Sequence, residues 1–142
     1  MDSKDEARYR LRLAQGYLQE AEQLLGASQW RASASSAQLA VENSAKAVLA
    51  LVGPLPKSHD LSRMLLDAGE DLGLDDDHLR KLHRLAECAR LLGFREHVMT
   101  DYGDELAYRT PWEIYDEGRA RRAFALAQEA CGIAALFLAS EA

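Results

Sequence analysis

Four histidines, two cysteines and 23 carboxylates are the groups from which a metal or acid–base site could be built here. Their spacing argues against a metal centre. Di-iron helical bundles carry Glu-x-x-His pairs, and none occurs; no two histidines stand four apart, and there is no Cys-x-x-Cys. His83 and Glu87 are spaced to share a helix face, but two ligands do not make a site. Gly-rich phosphate loops and nucleophile elbows are also absent. No metal and no cofactor is expected. Charge is the more informative feature. From His78 to His97, five basic residues (Arg80, Lys81, Arg84, Arg90, Arg95) face two acidic ones, Glu87 and Glu96, in a chain of net charge −6. Arg119, Arg121 and Arg122 form a second basic cluster. Such local patches are what contact with phosphate or RNA requires. The overall acidity excludes a surface that grips nucleic acid everywhere.

The elements that must position these groups are helices. Ala and Leu number 24 and 23 of the 142 residues, against 8 for Val, Ile and Thr together. Ala and Leu are strong helix formers, whereas a sheet favours β-branched residues. Hydrophobic residues at 48% and charged ones at 28% exclude disorder. Periodicity predicts five helices in one domain spanning residues 1–142, four long and one short, packed as an up-down bundle. The first runs from about Asp5 to Leu25 and stops at Gly26. The second, from about Ser28 to Val52, is apolar or small nearly all round and should be central. Gly53-Pro54-Leu55-Pro56 breaks the chain. The third helix, from about His59 to Leu72, is capped by Ser58 with Asp60 in its first turn. Asp75-Asp76-Asp77 opens the fourth, which ends before Gly93. The stretch from Arg95 to Arg109 has no clean period. Pro111 suits the first position of a helix, and the last helix spans about Asp116 to Ala139. Its stripe is Ala120, Ala123, Ala127, Ala130, Ile133, Ala134 and Phe137.

Cys88 and Cys131 sit within helical patterns where a small apolar residue would serve, so a reduced cytoplasmic setting is expected rather than a disulfide framework. The acidic start, Met1 to Glu6, does not read as a secretory signal. No apolar run is expected to reach the roughly 18 residues of a membrane span. Asn43, the only asparagine, falls mid-helix where its propensity is poor, so it should make a polar contact inside the bundle or across a dimer. Glu42 and Lys46 stand at i and i+4, the order that stabilises a helix.

The segment Gln38-Leu39-Ala40-Val41-Glu42-Asn43-Ser44-Ala45-Lys46-Ala47 resembles the signature of the HEPN domain family. Ser58-His59-Asp60-Leu61 is similar to the family's His-Asp-Leu element, and Tyr108-Arg109-Thr110-Pro111 to its Arg-Tyr-Pro region. The three occur in order from about Leu11 to Leu138. Glu42, Lys46, His59 and Asp60 are thus the family-signature residues. The resemblance implies a helical bundle that dimerises. It also implies partnership with a small nucleotidyltransferase in a toxin–antitoxin pair, and in many members a metal-independent ribonuclease activity.

The family's catalytic pair is an Arg followed after four to six residues by a His. Arg90 and His97 fit the loosest version. An imidazole can accept the 2′-hydroxyl proton while a guanidinium stabilises charge on the phosphate. On one continuous helix the two would lie about 10 Å apart along the axis, so a bend at Gly93 or a second copy would have to bring them together. In a rival placement, just before the final helix, Arg109 is followed by Tyr115 where the His should stand. A phenol with a pKa near 10 is a poor base. The expectation is a HEPN-like protein of a two-component module that binds RNA or nucleotide. Arg95, Arg119, Arg122 and Tyr115 are its candidate contacts. The alternatives are a ribonuclease toxin using Arg90, His97 or Arg109, and a non-catalytic helical interaction domain.

Overall fold

The computed structural model describes residues 2–55, 57 and 60–140. Among them lie α1 (Ser3–Gly26), α2 (Trp30–Ala50), α3 (Leu61–Asp71), α4 (Asp76–Leu91), α5 (Phe94–Tyr102), the single turn α6 (Pro111–Ile114) and α7 (Glu117–Ser140). No strand is present among the described residues; one isolated antiparallel bridge joins Asp104 to Arg109. The all-α architecture follows the composition, and all five expected helices match to within a few residues, with α5 and α6 added to them. The aperiodic stretch is where the expectation and the structure part: α5 occupies most of it.

Helix starts are set by short polar side chains. Asp2, Asp75 and Asp116 accept from the backbone N–H three residues on, at 2.8, 2.8 and 2.9 Å. Such caps contribute about 1 kcal/mol each. Thr110 and Glu113 form a reciprocal capping box with Pro111 at the first position of α6. At α3 the expected cap is corrected. Asp60, not Ser58, is the N-cap, its carboxylate accepting from Arg63 N at 3.1 Å. Ser58 and His59 lie outside the described residues.

α2 is the spine. It packs on α1, α7, α3, α4 and α5, and Ala34, Ala37, Ala40, Val41, Ala45 and Ala47 are wholly buried. Small side chains let α1 and α7 close on it from two sides. Cys131 of α7 accepts from Ser44 Oγ of α2 at 3.3 Å and lies 3.7 Å from the Ala14 carbonyl oxygen of α1. The small-residue seam is therefore consumed within one chain, and a contact between two copies needs another face. Asn43 makes the polar contact its position demands. Its amide donates to Leu39 O at 2.9 Å and its oxygen accepts from Arg10 of α1 at 3.3 Å.

α7 corrects one expectation. An 18-residue window of this helix has mean hydropathy 1.6, long and apolar enough to cross a membrane. Alanine raises the hydropathy, and the expected stripe from Ala120 to Phe137 is buried against α1, α2 and α4. Its apolar face is thus spent on the bundle core.

Candidate nucleic-acid interface

The two basic clusters of the sequence converge. α5 brings Arg95, the loop after it brings Arg109, and the first turn of α7 brings Arg119; all three line one cleft of about 330 Å³. A neighbouring cleft of about 510 Å³ shares Arg119 and Glu96 with it and adds Arg122, Arg84 and Tyr115. On the other side, Arg95 is shared with a third hollow that includes Arg90. The result is a continuous band running Arg90, Arg95, Arg109, Arg119, Arg122. Arg121 pairs with Glu117 at 2.7 Å and lines none of these clefts.

The arginines of the band differ in how far they are already committed. Arg90 is held by Glu87 at 2.6 Å and Arg84 by Glu129. Arg109 donates to the Glu113 carbonyl at 3.1 Å, and the Arg119 guanidinium lies 5.9 Å over the Tyr115 ring. Arg95 and Arg122 make no ion pair among the described residues. Asp104 and Glu96 line the central cleft as counter-charges, and Asp104 is partly satisfied by Ala107 N at 3.1 Å. Arg109 is placed by its loop. Gly103, at φ 73° and ψ −157°, passes so close to the Arg109 carbonyl oxygen that a Cβ would collide with it. Tyr108 also adopts a left-handed conformation, at φ 55°, and its side chain is 92% exposed.

Tyr115, at the position where the catalytic pattern calls for His, is not poised as a base. It is 5% exposed and its hydroxyl donates to Glu96 Oε2 at 2.9 Å. Burial first, then this hydrogen bond, push the phenol well above its ordinary value of about 10. Arg109 and Tyr115 thus do not form a working acid–base pair.

Arg90 and His97 stand on different helices, α4 and α5. α4 ends at Leu91 and α5 begins at Phe94, so the run is broken between them. Gly93 makes the break: its backbone lies so near the Ala89 carbonyl that a Cβ would sit 2.6 Å from that oxygen. Arg90 lines the hollow it shares with Arg95, while His97 lines an adjoining cleft of about 480 Å³ that has Leu61, Ala89, Gly93 and Phe94 in common with that hollow. There its Nδ1 lies 3.2 Å from Oε1 of Gln38, which is 2% exposed, and its ring stacks on Phe94 at 6.3 Å. Glu42 and Lys46 of the signature line that same cleft, paired at 3.2 Å. Gln38, Arg10 and Lys57, also at that cleft, were not singled out by sequence reasoning. A glutamine facing the interior of an Ala-rich helix was the available signal.

Among the described residues no three His, Cys, Asp or Glu side chains gather as a metal site. Cys88 and Cys131 are buried free thiols. Burial pushes Cys88 up to about 11 and Cys131 in the same direction, so neither is an activated nucleophile.

A helical bundle built on a small-residue spine defines the structural class. The HEPN domain model matches residues 7–135, and the chain belongs to that family. Among solved structures it is similar to TT1696 from Thermus thermophilus, with a TM-score of 0.69 and 23% identity. The match covers 92% of this chain and 97% of that one. At that identity the likeness is one of fold. No curated protein gives a match to the sequence.

Proposed function

We propose that this chain is the RNA- or nucleotide-binding member of a two-component, toxin–antitoxin-type module, acting in the cytoplasm as a homodimer beside a nucleotidyltransferase. The observation that carries the reading is the convergence of Arg95, Arg109, Arg119 and Arg122 on one band of an otherwise acidic molecule. Charge concentrated against the net balance of a chain is the footprint of phosphate contact. The exposed Leu106, Tyr108 and Trp112, at 96%, 92% and 73%, border Arg109 in sequence and support contact with a protein partner there.

Binding of a short fluorescent single-stranded RNA, followed by anisotropy, tests the reading. Replacing Arg95 and Arg119 together by Gln should weaken binding about tenfold or more, a loss of about 1.4 kcal/mol. Unchanged affinity in that variant sinks the assignment of the band. Co-expression with an adjacent nucleotidyltransferase should return a complex, and recovery of the lone chain counts against the partnership.

A metal-independent ribonuclease is the second reading, favoured by one observation. An amide oxygen only accepts, so the contact with Gln38 Oε1 puts the His97 hydrogen on Nδ1 and leaves Nε2 as the basic nitrogen. The arginine available to such a base is Arg10, which lines the His97 cleft, rather than Arg90 or Arg109.

A further inference from the structure

The cleft of about 510 Å³ between α4 and α7 holds apolar surface that contact with phosphate does not use. Hydrogen bonds mark its two ends. Arg84 of α4 meets Glu129 of α7 at one, and Tyr115, just before α7, donates to Glu96 of α5 at the other. As α4 leads into α5 its contacts move back along the chain, so α4 and α7 run antiparallel with a groove between them. At 1.5 Å per residue, the α7 side from Arg119 to Glu129 is about 15 Å long. Leu92 and Ala123, each 5% exposed, lie deepest, and Leu126 is half-buried. Leu91 on the α4 side is 42% exposed, and Ala125 on the α7 side lies open to solvent.

The charge along this groove is not evenly spent. Arg84 is taken by Glu129. Arg122 makes no ion pair among the described residues, and the Arg119 guanidinium is engaged by the Tyr115 ring. Two guanidiniums without a carboxylate partner thus border a trough of leucine and alanine. A phosphate answers the arginines but leaves Leu91 and Leu126 without apolar cover. Carboxylates carried beside apolar side chains answer both. A groove between antiparallel helices is filled by the ridge of a third helix, and about 15 Å accommodates three of its turns. The complementary object is an amphipathic helix whose apolar side chains recur at i, i+3 or i+4 and i+7, with acidic residues on its flanks.

We propose that the α4–α7 groove seats an acidic amphipathic helix of a partner protein, and that this helix and RNA exclude each other. Its apolar stripe covers Leu91, Ala125 and Leu126 while its carboxylates take Arg119 and Arg122. The exclusion rests on the RNA-binding reading of the arginine band, since it works by covering two of that band's arginines; the seating of the helix does not.

The test uses the full chain and a fluorescent peptide of about 16 residues, with leucines on one helical face and glutamates on its flanks. A peptide of identical composition and scrambled order is the control. By anisotropy, the amphipathic peptide should bind about tenfold or more tightly than the scrambled one. Ala125→Glu, at an exposed position, should weaken it about tenfold without changing thermal stability, and Leu91→Gln and Arg122→Gln about threefold each. Arg95→Gln should leave peptide binding unchanged while weakening RNA. Unlabelled amphipathic peptide should displace labelled RNA, and the scrambled peptide should not. Equal binding of the two peptides, or binding that survives Ala125→Glu, overturns the seating. So does light scattering in which Ala125→Glu turns a dimer of the free chain into a monomer, because a second copy would then cover the groove. Peptide and RNA bound together overturn the exclusion. A chain that binds the peptide but no RNA supports the seating and sinks both the exclusion and the reading of the band, so the two failures are distinguishable.

Discussion

Tyr115 shows how much a single side chain owes to its neighbours. The sequence places a phenol where a histidine would complete a catalytic pair, and from its type alone it is merely a weak base. What decides its role is a partner 19 residues earlier, Glu96, which no local pattern announces. Because burial and that hydrogen bond raise the folded-state pKa above the unfolded value of about 10, the neutral phenol is favoured in the fold. The associated stability is fully present below pH 10 and is lost as pH rises beyond it. A difference titration of tyrosinate absorbance between wild type and Tyr115→Phe should therefore show no ionisation of Tyr115 near pH 10 in the folded protein. Ionisation there would refute the buried hydrogen-bonded geometry. Tyr115→Phe should also lower stability at neutral pH by about 1–2 kcal/mol in a denaturant melt, since it removes a donor from an ionised acceptor. The Glu42–Lys46 pair, by contrast, was legible because its two members lie one helical turn apart.

At the scale of elements, period and punctuation succeed where helices are long and one-sided. The α7 stripe, read from spacing alone, is buried residue for residue. They fail between Leu92 and Pro111. α5 has nine residues, too few turns for a repeat to stand out, and its cap is a glycine that leaves no side-chain signature. The spacing of Arg90 and His97 required a bend at Gly93 or a second copy to bring them together. The break at Gly93 is there, and it leaves Arg90 and His97 lining two adjoining clefts rather than one. Gly103 governs the other half of this region, because its conformation is one that side-chain-bearing residues rarely adopt and its backbone abuts Arg109. Gly103→Ala should cost about 1–3 kcal/mol in thermal or denaturant unfolding. It should also weaken RNA binding, because the Arg109 carbonyl must move. A variant with unchanged stability would mean that the loop relaxes freely and does not fix Arg109.

For the whole molecule, the decisive property is a charge distribution that opposes the net charge. A chain at −6 is repelled by a polyanion at long range, so association depends on what the band can neutralise at contact. The sequence offered the arginines of the proposed band as candidates, but it could not tell which were spent in internal pairs or which lined the same cleft. Arg95 and Arg122, unpaired among the described residues, and Arg109 and Arg119, engaged only through a backbone oxygen and an aromatic ring, are the four able to displace counterions from a strand. Counterion release makes the logarithm of affinity fall with the logarithm of salt concentration by about 0.7 per phosphate neutralised on a single strand. Four contacts give a slope of roughly −3, and each Arg→Gln replacement within the set should reduce its magnitude by about 0.7. Arg121→Gln should leave the slope where it was, since that side chain is tied to Glu117 and lines none of the three clefts. Lys57→Gln should do the same, because Lys57 belongs to the His97 cleft. Measured by anisotropy across a salt series, an Arg121 effect equal to that of Arg119 would mean that the strand is attracted by diffuse surface charge, and the band would lose its standing as the interface.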